Sequence, residues 1–90
     1  MGYYRSRVEI MSQILESAKG GGTTKTKIIY KAFLGYNQLK EYLTILTESE
    51  LLNYDGETHR FKTTEKGLRF LNFYNEISDV IKELPHTEQH

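Results

Sequence analysis

Val8, Met11, Ile14, Leu15 and Ala18 recur at intervals of three and four residues, the spacing that lines one face of an α-helix. Arg5, Glu9, Gln13 and Glu16 fall on the other side, so a helix is expected over 5–19. Gly20, Gly21 and Gly22 end it, because glycine accepts the left-handed backbone of a helix terminus. Thr23 or Thr24 offers a cap for a short second helix over 25–33, with Ile28, Ile29 and Ala32 inward. Gly35 separates it from a third helix that starts at Tyr36 or Asn37 and ends near Ser49. Leu39, Tyr42, Leu43 and Leu46 form that helix's apolar stripe.

After this the period changes. Residues 51–54 read as a short strand, Asp55-Gly56 as a turn, and 59–63 as a second strand with Arg60 and Lys62 on one side and Phe61 on the other. Thr64 then caps a last helix over 64–84, which Pro85 stops, leaving 85–90 as an expected flexible tail. The order helix, helix, helix, hairpin, helix is that of a winged helix-turn-helix domain, an α+β fold that is mostly α. One such domain over 1–84, including the C-terminal helix, accounts for the pattern.

Composition narrows the chemistry. There is no cysteine, so disulfides, thiolate zinc sites and cysteine nucleophiles are excluded. No apolar run reaches the roughly 18–20 residues of a membrane span, and the first residues lack the apolar core of a signal peptide. A soluble, cytoplasmic, nucleoid-associated protein is expected. Gly20-Gly21-Gly22 before Thr24-Lys25-Thr26 lacks the Gly-Lys-Ser/Thr of a phosphate-binding loop, and a helix precedes it. His86 and His90 stand in the tail without further ligands. No catalytic constellation is identifiable, so no enzyme activity, cofactor, metal or small-molecule ligand is expected.

The net charge is zero, yet it is unevenly spread. Residues 17–40 carry Lys19, Lys25, Lys27, Lys31 and Lys40 and no acid, whereas 41–57 carry Glu41, Glu48, Glu50, Asp55 and Glu57 and no base. Basic residues return with Arg60, Lys62, Lys66 and Arg69. Two basic segments separated by an acidic one can fold into one basic face.

Several stretches carry a family resemblance: Thr26-Lys27-Ile28-Ile29-Tyr30-Lys31-Ala32, Leu34-Gly35-Tyr36 with the Leu39-Tyr42-Leu43-Leu46 stripe, the hairpin, and Thr63-Thr64-Glu65-Lys66-Gly67. In this order they resemble the small archaeal winged-helix DNA-binding proteins that dimerise through a long C-terminal helix. The resemblance spans about 5–84. It implies a homodimer joined by an antiparallel pair of C-terminal helices, with a wing on each protomer. The chain is less basic than the best-known members, which points away from genome coating.

Read residue by residue, the third helix is the candidate recognition helix. Tyr36, Asn37, Gln38, Lys40, Glu41 and Thr44 lie off its apolar stripe, where an α-helix in a major groove presents side chains to base edges and phosphates. Lys25, Lys27 and Lys31 belong to the helix that crosses the phosphate backbone in such docking, and Arg60 and Lys62 to the wing. On the last helix, Phe70, Phe73, Tyr74, Ile77, Val80, Ile81 and Leu84 form a seam in which Phe70, Ile77 and Leu84 are seven apart, as are Phe73 and Val80. Leu68 and Leu71 are expected to hold the helix to its own domain. The expected partners are therefore double-stranded DNA and a second copy of the chain, with no membrane. The expected role is a transcription regulator, with a protein-docking module and an architectural chromatin protein as the alternatives.

Overall fold

The computed structural model describes residues 5–83. Along the chain they form α1 (Arg7–Ser17), α2 (Lys25–Ala32), α3 (Tyr36–Glu48), β1 (Leu52–Asp55), β2 (Arg60–Thr63) and α4 (Glu65–Glu83). The expected order is present, mostly helical with one two-stranded antiparallel sheet. Leu84 and the expected tail over 85–90 lie outside the described residues.

Helix α1 starts where the Ser6 hydroxyl oxygen accepts the Glu9 N–H at 3.1 Å, satisfying one of the free donors of a helix start. Ile10, Ile14, Leu15 and Ala18 enter the core, with Met11 partly buried beside them. Val8, expected inward, is 43% exposed. It lies in the first turn at the edge of the helix's apolar face, and Ile10 is the first residue of α1 to reach the core. Thr24 caps α2 by accepting the Lys27 N–H at 3.4 Å. The helix stops at Ala32 because Phe33 adopts the left-handed conformation, with φ +52°.

All four stripe residues of α3, Leu39, Tyr42, Leu43 and Leu46, are buried. They meet Ile14 and Leu15 of α1, Ile28 and Ala32 of α2, Leu52 and Phe61 of the hairpin, and Leu71 of α4 in one cluster. The two strands pair from Leu52↔Thr63 to Asp55↔Arg60. That register carries Asp55 into β1 and puts the connection, expected over 55–58, at 56–59. His59 takes the left-handed position with φ +57°. Asp55 Oδ1 accepts the Glu57 N–H at 2.9 Å, so the aspartate side chain imitates a backbone turn.

The hairpin is tied to the helices by the segment that joins α1 to α2. Thr23 pairs with Phe61 through two backbone hydrogen bonds of 2.8 and 2.7 Å, an isolated antiparallel bridge to β2. Gly22, with φ +91°, makes this approach possible: a β-carbon there would stand 2.8 Å from the Phe61 carbonyl oxygen. The buried Thr63 hydroxyl donates to the Leu15 carbonyl at 2.6 Å, and its N–H donates to Ala18 O at 3.0 Å. Thr64 Oγ1 accepts the Gly67 N–H at 3.0 Å and so caps α4. Gly67 and Leu71 face the core, whereas Leu68, expected to share that role, is 38% exposed. Close contact at Gly67 fixes the inward face of the helix, and its chain neighbour Leu68 is turned away by about 100°.

Candidate nucleic-acid interface

The buried stripe of α3 leaves Tyr36, Asn37, Gln38, Lys40, Glu41 and Thr44 exposed. The first residue of this helix, Tyr36, stands beside the first residue of α2: the Lys25 ammonium lies 5.8 Å from the Tyr36 ring centroid. Lys40, one turn further along α3, lies at the same distance from that ring. Two ammonium groups and a phenol are thus gathered at the start of α3, where a helix N-terminus adds partial positive charge. Asn37, Lys40, Glu41 and Thr44 line an open groove of about 490 Å³ with Arg7 and Ile45. Gln38 bends back, its Oε1 accepting the Gly35 N–H at 3.5 Å, so it serves the start of its own helix.

The basic residues do not all share this face. Lys31 lines a groove with Gln13, Glu16 and Ser17 of α1, away from Lys25 and Tyr36. Lys27, four residues before it, is exposed and on the same side of α2. The expected single face of lysines is therefore divided, because α2 presents Lys25 toward α3 and Lys31 toward α1.

Arg60 and Lys62 are exposed on β2 as their alternation implied. Arg60 Nη1 also donates to the Gly22 carbonyl at 3.2 Å, bracing the wing against the segment before α2. Near the wing tip the Tyr54 hydroxyl is 2.9 Å from His59 Nδ1, and the Tyr54 and Phe61 rings pack at a tilt of 42° with centroids 4.7 Å apart. The hydrogen bonds from the Glu57 amide and the Thr58 side chain hold the Asp55 carboxyl below the ordinary aspartate pKa.

Two features were absent from the sequence reading. Arg7, the first residue of α1, lies over the Tyr42 ring at 5.3 Å and overhangs the exposed face of α3. Around the helix-turn-helix turn, Tyr30 and Phe33 are 75% and 83% exposed. The first feature depends on how α1 crosses α3, which no local periodicity encodes. Exposed aromatics at 30, 33 and 36 do have a local signal, since none falls on an apolar stripe.

On α4, Phe73, Ile77, Val80 and Ile81 are 42–63% exposed and adjoin the inward face of Gly67 and Leu71. Phe70 packs partly on its own core. Tyr74 lines a groove against Glu9, Gln13 and Glu16 of α1, so it belongs partly to the intramolecular α1–α4 contact. Leu84 lies outside the described residues. Among the described residues no helix is long and apolar enough to cross a membrane.

Two known proteins are similar along most of the chain. A protein of Methanocaldococcus jannaschii described as uncharacterised is 28% identical over 83 residues, which is 92% of this chain and 84% of the relative. The crystal structure of Sso10a-2, a DNA-binding protein from Sulfolobus solfataricus, superposes with a TM-score of 0.67 at 27% identity, covering 92% of this chain and 100% of the other. The winged helix-turn-helix family model matches residues 4–82. With three helices, a hairpin braced on the α1–α2 segment and a final helix returning to the core, the chain belongs to the winged helix-turn-helix family.

Proposed function

We propose that this protein binds double-stranded DNA as a homodimer and acts as a transcription regulator, with α3 in the major groove and the wing on the backbone or minor groove. The observation that carries this reading is the pole at Tyr36, where Lys25 and Lys40 flank an exposed phenol at the start of α3. An α-helix fits the major groove, and its N-terminal residues are those that reach base edges. Asn37 and Thr44 then face the bases, Lys25 and Lys40 the phosphates, and Arg60 and Lys62 the adjoining backbone. The likeness to Sso10a-2, described as DNA-binding, supports the same partner.

Homodimerisation is supported by the α4 face. Four large apolar side chains left in water cost roughly 1.5–3 kcal/mol each relative to full burial. A second α4 running antiparallel would cover them. A regulator is favoured over a genome-coating protein because the net charge is zero and positive charge is concentrated locally. The test is a titration of the pure protein against its own upstream DNA and a scrambled duplex at two salt concentrations. A regulator prefers the upstream site by a wide margin. Equal, steeply salt-dependent binding to both duplexes means an architectural role. No binding to either means a docking module.

A further inference from the structure

A recognition helix in a major groove about 12 Å wide lies between two phosphate strands, so cations on one flank engage only one wall of the groove. The residues assigned to DNA on sequence grounds supply one flank of α3. Lys25 packs at Tyr36 and also lines the groove between α3 and the hairpin, with Thr44, Thr47 and Asn53. Helical periodicity puts Tyr36, Lys40 and Thr47 along one edge of the exposed face of α3, and Glu41 and Ile45 along the other. On this second edge the structure supplies Arg7, from a different helix.

We infer that Arg7 is a phosphate contact on the second wall of the groove, so that α1 and α2 grip the two DNA strands from opposite flanks of α3. The inference rests on the DNA-binding reading and adds to it a residue and a strand. Three observations support it. Arg7 lines the groove over α3 with Asn37, Glu41 and Thr44. Its guanidinium is positioned by the ring of Tyr42, itself buried, and a planar guanidinium held against a ring remains free to bond a phosphate edge-on. The start of α1 is anchored two residues earlier: Arg5 donates to Gln13 Oε1 and to the carbonyls of Ala32 and Phe33. Arg7 also explains how Glu41 is tolerated beside DNA. The carboxylate lies in the same groove as Arg7 and Lys40, whose charges offset its repulsion of phosphate.

Phosphate-ethylation interference on the full-length parent, bound to its best duplex, reads the contacts directly. Interfering phosphates are expected on both strands of each half-site, and contacts confined to one strand overturn the inference. Salt titrations of Arg7→Gln and Arg7→Lys then identify the residue. Arg7→Gln is expected to make the slope of log K against log salt shallower by about 0.9 per bound protomer, equivalent to roughly eightfold weaker binding per protomer at 0.1 M salt. It should also weaken interference at phosphates of one strand only, whereas Lys25→Ala weakens it at phosphates of the other. Arg7→Lys should retain the parental slope. A folded Arg7→Gln protein with the parental slope and interference pattern overturns the inference while leaving the DNA reading intact. A parent that binds no duplex overturns both.

Discussion

Gly67 of α4 lies so close to the carbonyl oxygen of Leu51 that a β-carbon at this position would overlap it, and would also stand 2.6 Å from Thr63 Cγ2. In an unencumbered helix, Gly→Ala stabilises by about 1 kcal/mol. Here Gly67→Ala is expected to lose ~1–3 kcal/mol, because an overpacked contact with backbone cannot relax by turning a side chain. The urea midpoint measures it, and a raised midpoint would mean that α4 and the Leu51 segment are not in close contact.

Leu46 is fully buried where α3 meets the other elements of the core. Leu46→Ala should cost ~2–5 kcal/mol, a large share of the stability of a domain this size. Denaturant unfolding should show a lower midpoint with little change in slope.

Ile77 and Ile81 lie on the exposed apolar face of α4. Ile77→Glu or Ile81→Glu should convert a dimer into a monomer, since a buried unpaired carboxylate is far costlier than a solvated one. Light scattering at high micromolar concentration should give twice the chain mass for the parent and the chain mass for each variant. A monomeric parent sinks the dimer reading.

The division of the lysines makes a paired test. Lys25→Ala should weaken binding to every duplex and flatten the salt dependence by about one contact. Lys31→Ala, which removes a charge from the α1 groove, should leave the slope close to that of the parent. Equal effects would return both residues to one phosphate-facing surface.

Asp55 is held below its ordinary pKa by the amide of Glu57. A depressed carboxylate contributes to the folded state above its unfolded pKa, and the contribution is lost as the pH falls through the lowered value. The wing loop should therefore be unchanged from neutral pH to about pH 4 and loosen below that. The Glu57 amide shift, followed by NMR during acidification, should report a midpoint below that of a free aspartate. Asp55→Asn should abolish the titration.

The elements whose burial is decided by their own periodicity were legible from the chain. The α3 stripe, the alternation of β2 and the Thr24 and Thr64 caps all correspond to what the residues imply, whereas α1 ends at Ser17, ahead of the glycines expected to stop it. Readings failed where a partner element decides. Periodicity assigns Val8 and Leu68 to an apolar set, but how far along each helix a neighbour reaches is a tertiary property. The hairpin loop moved by one residue, from 55–58 to 56–59, because Asp55 pairs with Arg60 and its side chain and left-handed His59 complete the turn. For the candidate interface, residue types and the helix carrying them were readable. The separation of Lys31 from Lys25 and the arrival of Arg7 over α3 were not, because both depend on helix crossings.

The left-handed turn at Phe33 bears on the order in which the fold assembles. An L-residue with a large side chain disfavours that conformation by roughly 1–2 kcal/mol, and Phe33 is exposed, with little packing of its own to offset this. The carbonyls on either side of the α2 terminus are held instead by Arg5, 27 and 28 positions earlier in the chain. The corner of the helix pair is thus enforced by a distant contact against local preference. A fragment starting at Thr24 would contain both helices and the whole connecting sequence, yet not the group that stabilises their angle. The helix pair is consequently expected not to be an autonomous folding module, its corner being completed only when the N-terminal segment docks.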